Sequence, residues 1–106
     1  GYVGIFYVRK DTVTLNDMTI DATLANANTW GPIMVNGATA KIVTNNCDIK
    51  AKGNSATSAM GLNGGGIIEL NDTNITSAFK LIYLFNNNAT NGTVGHQLHS
   101  NSSLNG

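Results

Sequence analysis

Three stretches of this chain align on one another without gaps. Val13–Ile20, Ile42–Ile49 and Ile68–Ile75 follow one another at offsets of 29 and then 26. Their columns are Val13/Ile42/Ile68, Leu15/Thr44/Leu70, Asn16/Asn45/Asn71, Met18/Cys47/Thr73 and Ile20/Ile49/Ile75. Read down the alignment, the repeating message is apolar, apolar, Asn, small, Ile. A unit this short cannot bury its own apolar face. Recurrence at a nearly fixed period therefore means that neighbouring copies stack and share one continuous core.

A second apolar run stands upstream of each copy: Ile5–Val8, Ile33–Val35 and Ala59–Leu62, with Leu81–Phe85 as a fourth. Val8, Val35, Leu62 and Leu84 recur at offsets of 27, 27 and 22. Between the two runs the loops differ in length, Arg9–Thr12, Asn36–Lys41 and Asn63–Ile67, while the apolar columns hold. These runs are too short for helices, are rich in Val, Ile and Thr, and alternate with period two, so each predicts a strand. At the Asn the step changes from two to three, because Leu15 and Met18 are both expected to face inward. A bend is expected there, on the Asn, which tolerates a left-handed backbone. Three short strands per repeat of about 25 residues, joined by two corners and a longer excursion, describe one rung of an all-β parallel solenoid.

The order of Gly4-Ile5, a polar loop, Val13-Thr14-Leu15 and Asn16-Asp17-x-x-Ile20 resembles the repeats of right-handed parallel β-helices. More narrowly it is similar to bacterial autotransporter passenger domains and related surface adhesins. The matching text is Gly4 through Ile20, Pro32 through Ile49 and Met60 through Ile75, all of it ahead of Asn86. The resemblance implies a right-handed parallel β-helix (β-solenoid) of three to four rungs, each of roughly 22–29 residues, at a bacterial cell surface or secreted. Residues 1–85 are read as the rungs and 86–106 as an incomplete last rung, loop or linker. Thr93–His99 lacks the Asn corner and the closing Ile, and the segment is otherwise rich in Asn, Ser and Gly.

Two rows of side chains stand out. Asn16, Asn45 and Asn71, stacked at about 4.8 Å, are expected to hydrogen-bond as a structural ladder within the corner. Beside them Asp17/Asn46/Asp72 would form a short exposed row, read as a solvated edge because calcium needs six or more oxygens. On the first strand, with Val8, Val35, Leu62 and Leu84 inward, alternation turns Tyr7, Met34, Gly61 and Tyr83 outward as a candidate contact face. Two readings of that face stay open: a surface for a glycan or host surface protein, or one covered by a loop or another chain.

Composition limits the chemistry. Six basic and six acidic residues give zero net charge, and only 11% of residues are charged, so no nucleic-acid partner is indicated. No run approaches the about 18 apolar residues of a membrane span, so no membrane insertion by this segment is expected. Polarity comes instead from 16 Asn, 12 Thr, 12 Gly and 6 Ser. Cys47, the single cysteine, offers neither a disulfide nor a C-x-x-C metal site and reads as a small core residue. His96 and His99 have no paired ligands at metal spacing, and Gly64-Gly65-Gly66 lacks the lysine of a phosphate loop. One Arg, five Asp and one Glu spread over separate rungs give no catalytic cluster. Trp30 could stack on a sugar or cover the solenoid edge. Five Asn-x-Ser/Thr triplets begin at Asn71, Asn74, Asn88, Asn91 and Asn101 and matter only where secreted proteins are glycosylated.

The chain starts at Gly1 and shows no capping helix at either terminus, so it is read as a processed chain or an excised piece whose isolated rungs are marginally stable. The expected function is a non-catalytic structural or adhesive module, with no cofactor. Its expected partners are flanking solenoid rungs or end-to-end copies of itself. The alternatives are a self-stacking subunit of an extracellular filament and a fragment of a glycan-active β-helix enzyme.

Overall fold

A computed structural model describes residues 4–24, 31–51, 58–77, 80–85, 95–99 and 103–105. From residue 80 onward the description covers backbone placement and pairing. Trp30, Asn88, Asn91 and Asn101 lie outside the described residues.

The first aligned copy and its upstream run fold as β1 (Phe6–Val8), β2 (Asp11–Asn16) and β3 (Thr19–Ala22). The second set is β4 (Ile33–Asn36), β5 (Ala40–Asn45) and β6 (Asp48–Ala51). The third is β7 (Ser58–Asn63), β8 (Ile67–Asn71) and β9 (Asn74–Thr76). β10 (Lys80–Phe85), β11 (Gly95–His99) and β12 (Ser103–Asn105) follow. Every repeat sends its first strand to one sheet, its second to another and its third to the last. The orders are β1-β4-β7-β10, β2-β5-β8-β11 and β3-β6-β9-β12, and all pairings are parallel. The protein is all-β among its described residues.

Register follows the sequence columns. Val13, Ile42 and Ile68 are partners, as are Leu15, Thr44 and Leu70, and Ile20, Ile49 and Ile75. In the first sheet Val8, Val35, Leu62 and Leu84 align in the same way. Because successive strand side chains point to opposite faces, each alignment places a whole apolar set on one side. Residues from all three sheets then join a single buried cluster, with Ile33, Val35, Ile42, Ile49, Leu62, Ile68 and Ile75 fully buried. Fully burying side chains of this kind contributes about 1.5–3 kcal/mol each, which is the main force holding one repeat on the next.

Turns between the first and second strands need a backbone that ordinary residues avoid. Asp11, Gly37, Gly64 and Gly65 have positive φ. Gly37 is the tightest of these, since a Cβ on it would stand 2.5 Å from the Arg9 carbonyl oxygen of the repeat beside it. A side chain there would push the first and second repeats apart. Gly66 meets the same limit in the next loop, where a Cβ would stand 2.7 Å from the Val35 carbonyl oxygen.

One detail differs from the sequence reading. Met18, expected inward, is exposed, whereas Cys47 and Thr73 in the same column are buried. Met18 belongs to the end repeat of the described stack, and its side chain lacks the neighbour that covers Cys47 and Thr73. Within 86–106, β11 and β12 pair in register with β8 and β9, setting Leu98 against Leu70, His99 against Asn71 and Leu104 against Ile75. His99 and Leu104 are five apart while Asn71 and Ile75 are four apart. This longer spacing, with His99 in register with Asn71, hides the fourth repeat from an ungapped alignment.

The burial difference is measurable. Ile42→Ala should lower the unfolding free energy by about 2–5 kcal/mol, and Met18→Ala by less than about 1 kcal/mol. Urea denaturation of the two variants checks this ordering.

Candidate functional site

The most densely connected polar region is the corner between the second and third strands. Each repeat turns there through one residue with a left-handed backbone: Asp17 at φ 54°, Asn46 at 55° and Asp72 at 48°. The bend therefore falls one residue after Asn16, Asn45 and Asn71, which end β2, β5 and β8, and not on them. Asp and Asn visit this conformation because a short polar side chain can bond locally. Moving the bend by one residue leaves the Asn column in extended strand geometry, where side chains of successive repeats lie directly over one another.

Backbone bonds run through the corner at each level. Asp17 N–H donates to the Asn45 carbonyl, and Asn46 N–H to that of Asn71, at 2.9 and 3.0 Å. On the far side of the bend Asp48 N–H donates to Met18 and Asn74 N–H to Cys47, both at 3.0 Å. Above this frame the side chains form a directed ladder. Asn71 Nδ2 donates to Asn45 Oδ1, and Asn45 Nδ2 donates to Asn16 Oδ1, each at 2.9 Å. The ladder lies outside the apolar core: Asn16 is exposed and Asn45 and Asn71 are half-buried. It is extended sideways, because Asn71 Nδ2 is also 3.3 Å from Glu69 Oε2, and Glu69 Oε1 is 3.2 Å from Lys41 Nζ. The adjacent exposed row is tied by Asn46 Nδ2 donating to Asp17 Oδ1 at 2.9 Å.

Inside the corner sits a polar arrangement that sequence reasoning missed. Thr44 and Thr73 are both fully buried. Thr44 Oγ1 donates to Thr73 Oγ1 at 2.9 Å, and Thr73 Oγ1 donates onward to the Asn71 carbonyl at 2.9 Å. The Cys47 N–H also reaches Thr73 Oγ1, at 3.4 Å. A buried hydroxyl without a partner would cost about 1–3 kcal/mol, so Thr44 relies on Thr73, whose own hydroxyl is also held by the Asn71 carbonyl and the Cys47 N–H. A signal was present in the sequence: two apolar columns each lose an apolar member, at adjacent levels. Cys47 is buried with its sulfur 3.5 and 3.4 Å from the carbonyls of Leu15 and Asn45, a structural placement.

Outside the corner lies an open depression of about 340 Å³, whose lining includes Asp17, Asn46, Asp48, Asp72 and Asn74. Among the described residues no group of three or more His, Cys, Asp or Glu is disposed to hold a metal ion. At the end of β3 the Thr23 hydroxyl, 2.6 Å away, and the Thr23 N–H, 3.0 Å away, both donate to Asp21 Oδ1. These bonds hold the exposed Asp21 carboxyl below its ordinary value, with Lys50 adding a smaller pull and desolvation a weak opposing push.

The proposed contact row is real as a register: Tyr7, Met34, Gly61 and Tyr83 are successive partners in the first sheet. Its exposure is uneven. Tyr7 is 46% exposed, Met34 only 5%, and Gly61 is buried; the side chain of Tyr83 lies outside the described residues. Met34 is buried without belonging to the main core cluster, so the row is not an open apolar stripe. Tyr7 itself is engaged, its Oη accepting from Asn36 Nδ2 at 2.9 Å and its ring lying 5.9 Å from the Arg9 guanidinium carbon.

No protein-family model matches the chain, and neither a curated protein nor a solved structure does.

Asn45 is the middle member of the ladder, so Asn45→Leu removes two hydrogen bonds, leaving Asn71 Nδ2 with Glu69 Oε2 and Asn16 Oδ1 with water. A loss of about 1–2 kcal/mol is expected, against about half that for Asn16→Leu; chemical denaturation of both variants measures it. For Asp21 the folded value lies below the unfolded one, so its contribution is present above the ordinary carboxylate range and lost as pH falls through it. In Thr23→Ala an NMR titration should find the Asp21 carboxyl shifted upward.

Proposed function

We propose that the three sheets close around their shared core as a right-handed parallel β-helix, and that this chain is a non-catalytic structural or adhesive module of an extracellular or cell-surface protein, resembling an autotransporter passenger stalk. The observation that carries the reading is the single buried cluster to which all three parallel sheets contribute, with every repeat visiting them in the same order. Such an architecture presents loops at regular levels along a stiff axis, which suits display and spacing.

The disposition of polar groups supports a structural role. Amides and hydroxyls of the corner bond between repeats, in the Asn16–Asn45–Asn71 ladder and the Thr44–Thr73 pair. The carboxylates of Asp17 and Glu69 are likewise engaged, by Asn46 and by Lys41.

A second reading, a self-stacking filament subunit, is favoured by one specific feature. Among the described residues β1, β2 and β3 are the outermost strands of the three sheets on one side and β10, β11 and β12 on the other. Unpaired edges of this kind template further strands. Copies stacked end to end would advance by four levels, an axial repeat of roughly 19 Å at about 4.8 Å per level.

The module reading predicts no release of reducing ends from a panel of bacterial and host polysaccharides. Cleavage abolished by Asp17→Asn, Asp48→Asn or Asp72→Asn would overturn it in favour of a glycan-active enzyme. For the contact face, glycan or host-protein binding by the intact chain should weaken in the Tyr7→Ser, Tyr83→Ser double variant; unchanged binding removes the face from the proposal. Sedimentation velocity across a concentration series, with electron microscopy of any polymer, separates module from filament.

A further inference from the structure

We infer that the open end formed by β1–β3 recognises a parallel β-turn whose corner reads Asn followed by Asn. The inference rests on the stacked-module reading above and narrows which partner that end accepts.

Its basis is the direction of the corner's hydrogen bonds. Ladder donors all point from the third repeat toward the first, from Asn71 to Asn45 and from Asn45 to Asn16. Asn16 Nδ2 is consequently a donor aimed beyond the first repeat, with no partner among the described residues. Backbone groups repeat the pattern. The Asn45 and Asn71 carbonyls each accept from the repeat before them, from Asp17 and Asn46; the Asn16 carbonyl occupies the same place with no donor among the described residues. Asp48 and Asn74 each donate an N–H to the preceding repeat, at Met18 and Cys47; Thr19 N–H points outward in the same way. Two donors and one acceptor thus stand in the arrangement already filled twice inside the molecule. Their complement is an N–H one residue after an Asn, the Oδ1 of that Asn, and the carbonyl two residues after it.

The second corner position is chosen by charge. Asp17 already accepts from Asn46 Nδ2 below it. An ionised carboxylate has acceptors only, so a side chain set over Asp17 must donate. A second Asp would face it about 4.8 Å away, like charge on like. Asn both donates and tolerates the left-handed backbone that the position requires, and it would extend the order Asp17, Asn46, Asp72 with another amide next to a carboxylate.

A second copy of the chain does not supply this corner. At its far end the residue in register with Asn71 is His99, followed by Ser100, and the corner is one residue longer. The corner of this chain that does have the required chemistry is Asn45-Asn46 of the second repeat.

That corner provides the probe. A copy of residues 31–57 is fused ahead of Gly1 in the full chain. The connection from its last strand to β1, made of residues 52–57 of the copy and then Gly1–Ile5, is close in length to the 23–32 connection between β3 and β4. Hydrogen exchange by NMR then reads the Thr19 amide and the Asn16 side-chain amide. Both should slow by about tenfold or more in the extended chain, with a raised thermal midpoint. A copy carrying N45L and N46D should protect neither. Pairing Asp17→Asn in the host with N46D alone in the copy should restore protection, which keeps the charge argument testable if the doubly altered copy does not fold. Equal protection by the altered and unaltered copies, or no protection by the unaltered one, overturns the inference. So does concentration-dependent protection of Thr19 in the unextended chain, which would make a second copy the occupant. Rapid exchange of the Asn45 and Asn71 side-chain amides in the unextended chain would instead strike the stacked reading itself.

Discussion

Parallel stacking in one register is the constraint from which the other features follow. A repeat of three short strands has too few inward residues to exclude water alone, so Val35, Ile42 and Ile49 are buried only because Val8, Val13 and Ile20 lie on one side and Leu62, Ile68 and Ile75 on the other. A slip of one residue in any sheet would exchange its inner and outer faces. The apolar sets make such a slip costly, and the corner makes it costlier still, because it would also carry each Asn away from the one above it.

Polar groups at that corner divide by depth. On the outside, amides can hydrogen-bond to water as well as to one another, so the Asn ladder adds modest stability and serves chiefly to pin the alignment. On the inside no water is at hand, and a hydroxyl has to find its partner within the protein. Thr44 and Thr73 do so across two repeats, and the Asn71 carbonyl receives the remaining proton. Both devices act between repeats. The interactions that keep each repeat in shape are therefore the ones that attach it to its neighbours.

A direction is built into this arrangement. Amide side chains and parallel strands both have distinct donor and acceptor ends, so the two ends of the stack are chemically unlike. At one of them Asn16, Asp17 and Thr19 present the unfilled half of a corner; at the other His99 occupies the ladder position. Under the inference drawn above, hydrogen-bond polarity and charge at such an end would select its partner in addition to the generic pairing of a strand edge.

Much of the architecture is legible in the sequence because apolar residues must recur wherever a repeat meets the next. The columns headed by Val8, Val13, Leu15 and Ile20 determine strand positions and register without any knowledge of tertiary structure, and the Asn column is visible for the same reason. What the tertiary structure decided are properties that depend on what lies across from a residue. It put the left-handed bend on Asp17, Asn46 and Asp72 and not on the asparagines, since only then do the amides stack in extended geometry. It covered Met34 while leaving Tyr7 half exposed, and it exposed Met18 at an end where Cys47 and Thr73 are enclosed. It also joined Thr44 to Thr73, residues 29 apart in the chain, whose separate places in apolar columns read as defects until the stack brings the two hydroxyls within 2.9 Å. Periodicity records which residues must be buried together; hydrogen-bond geometry and solvent access are settled only when the repeats are in contact.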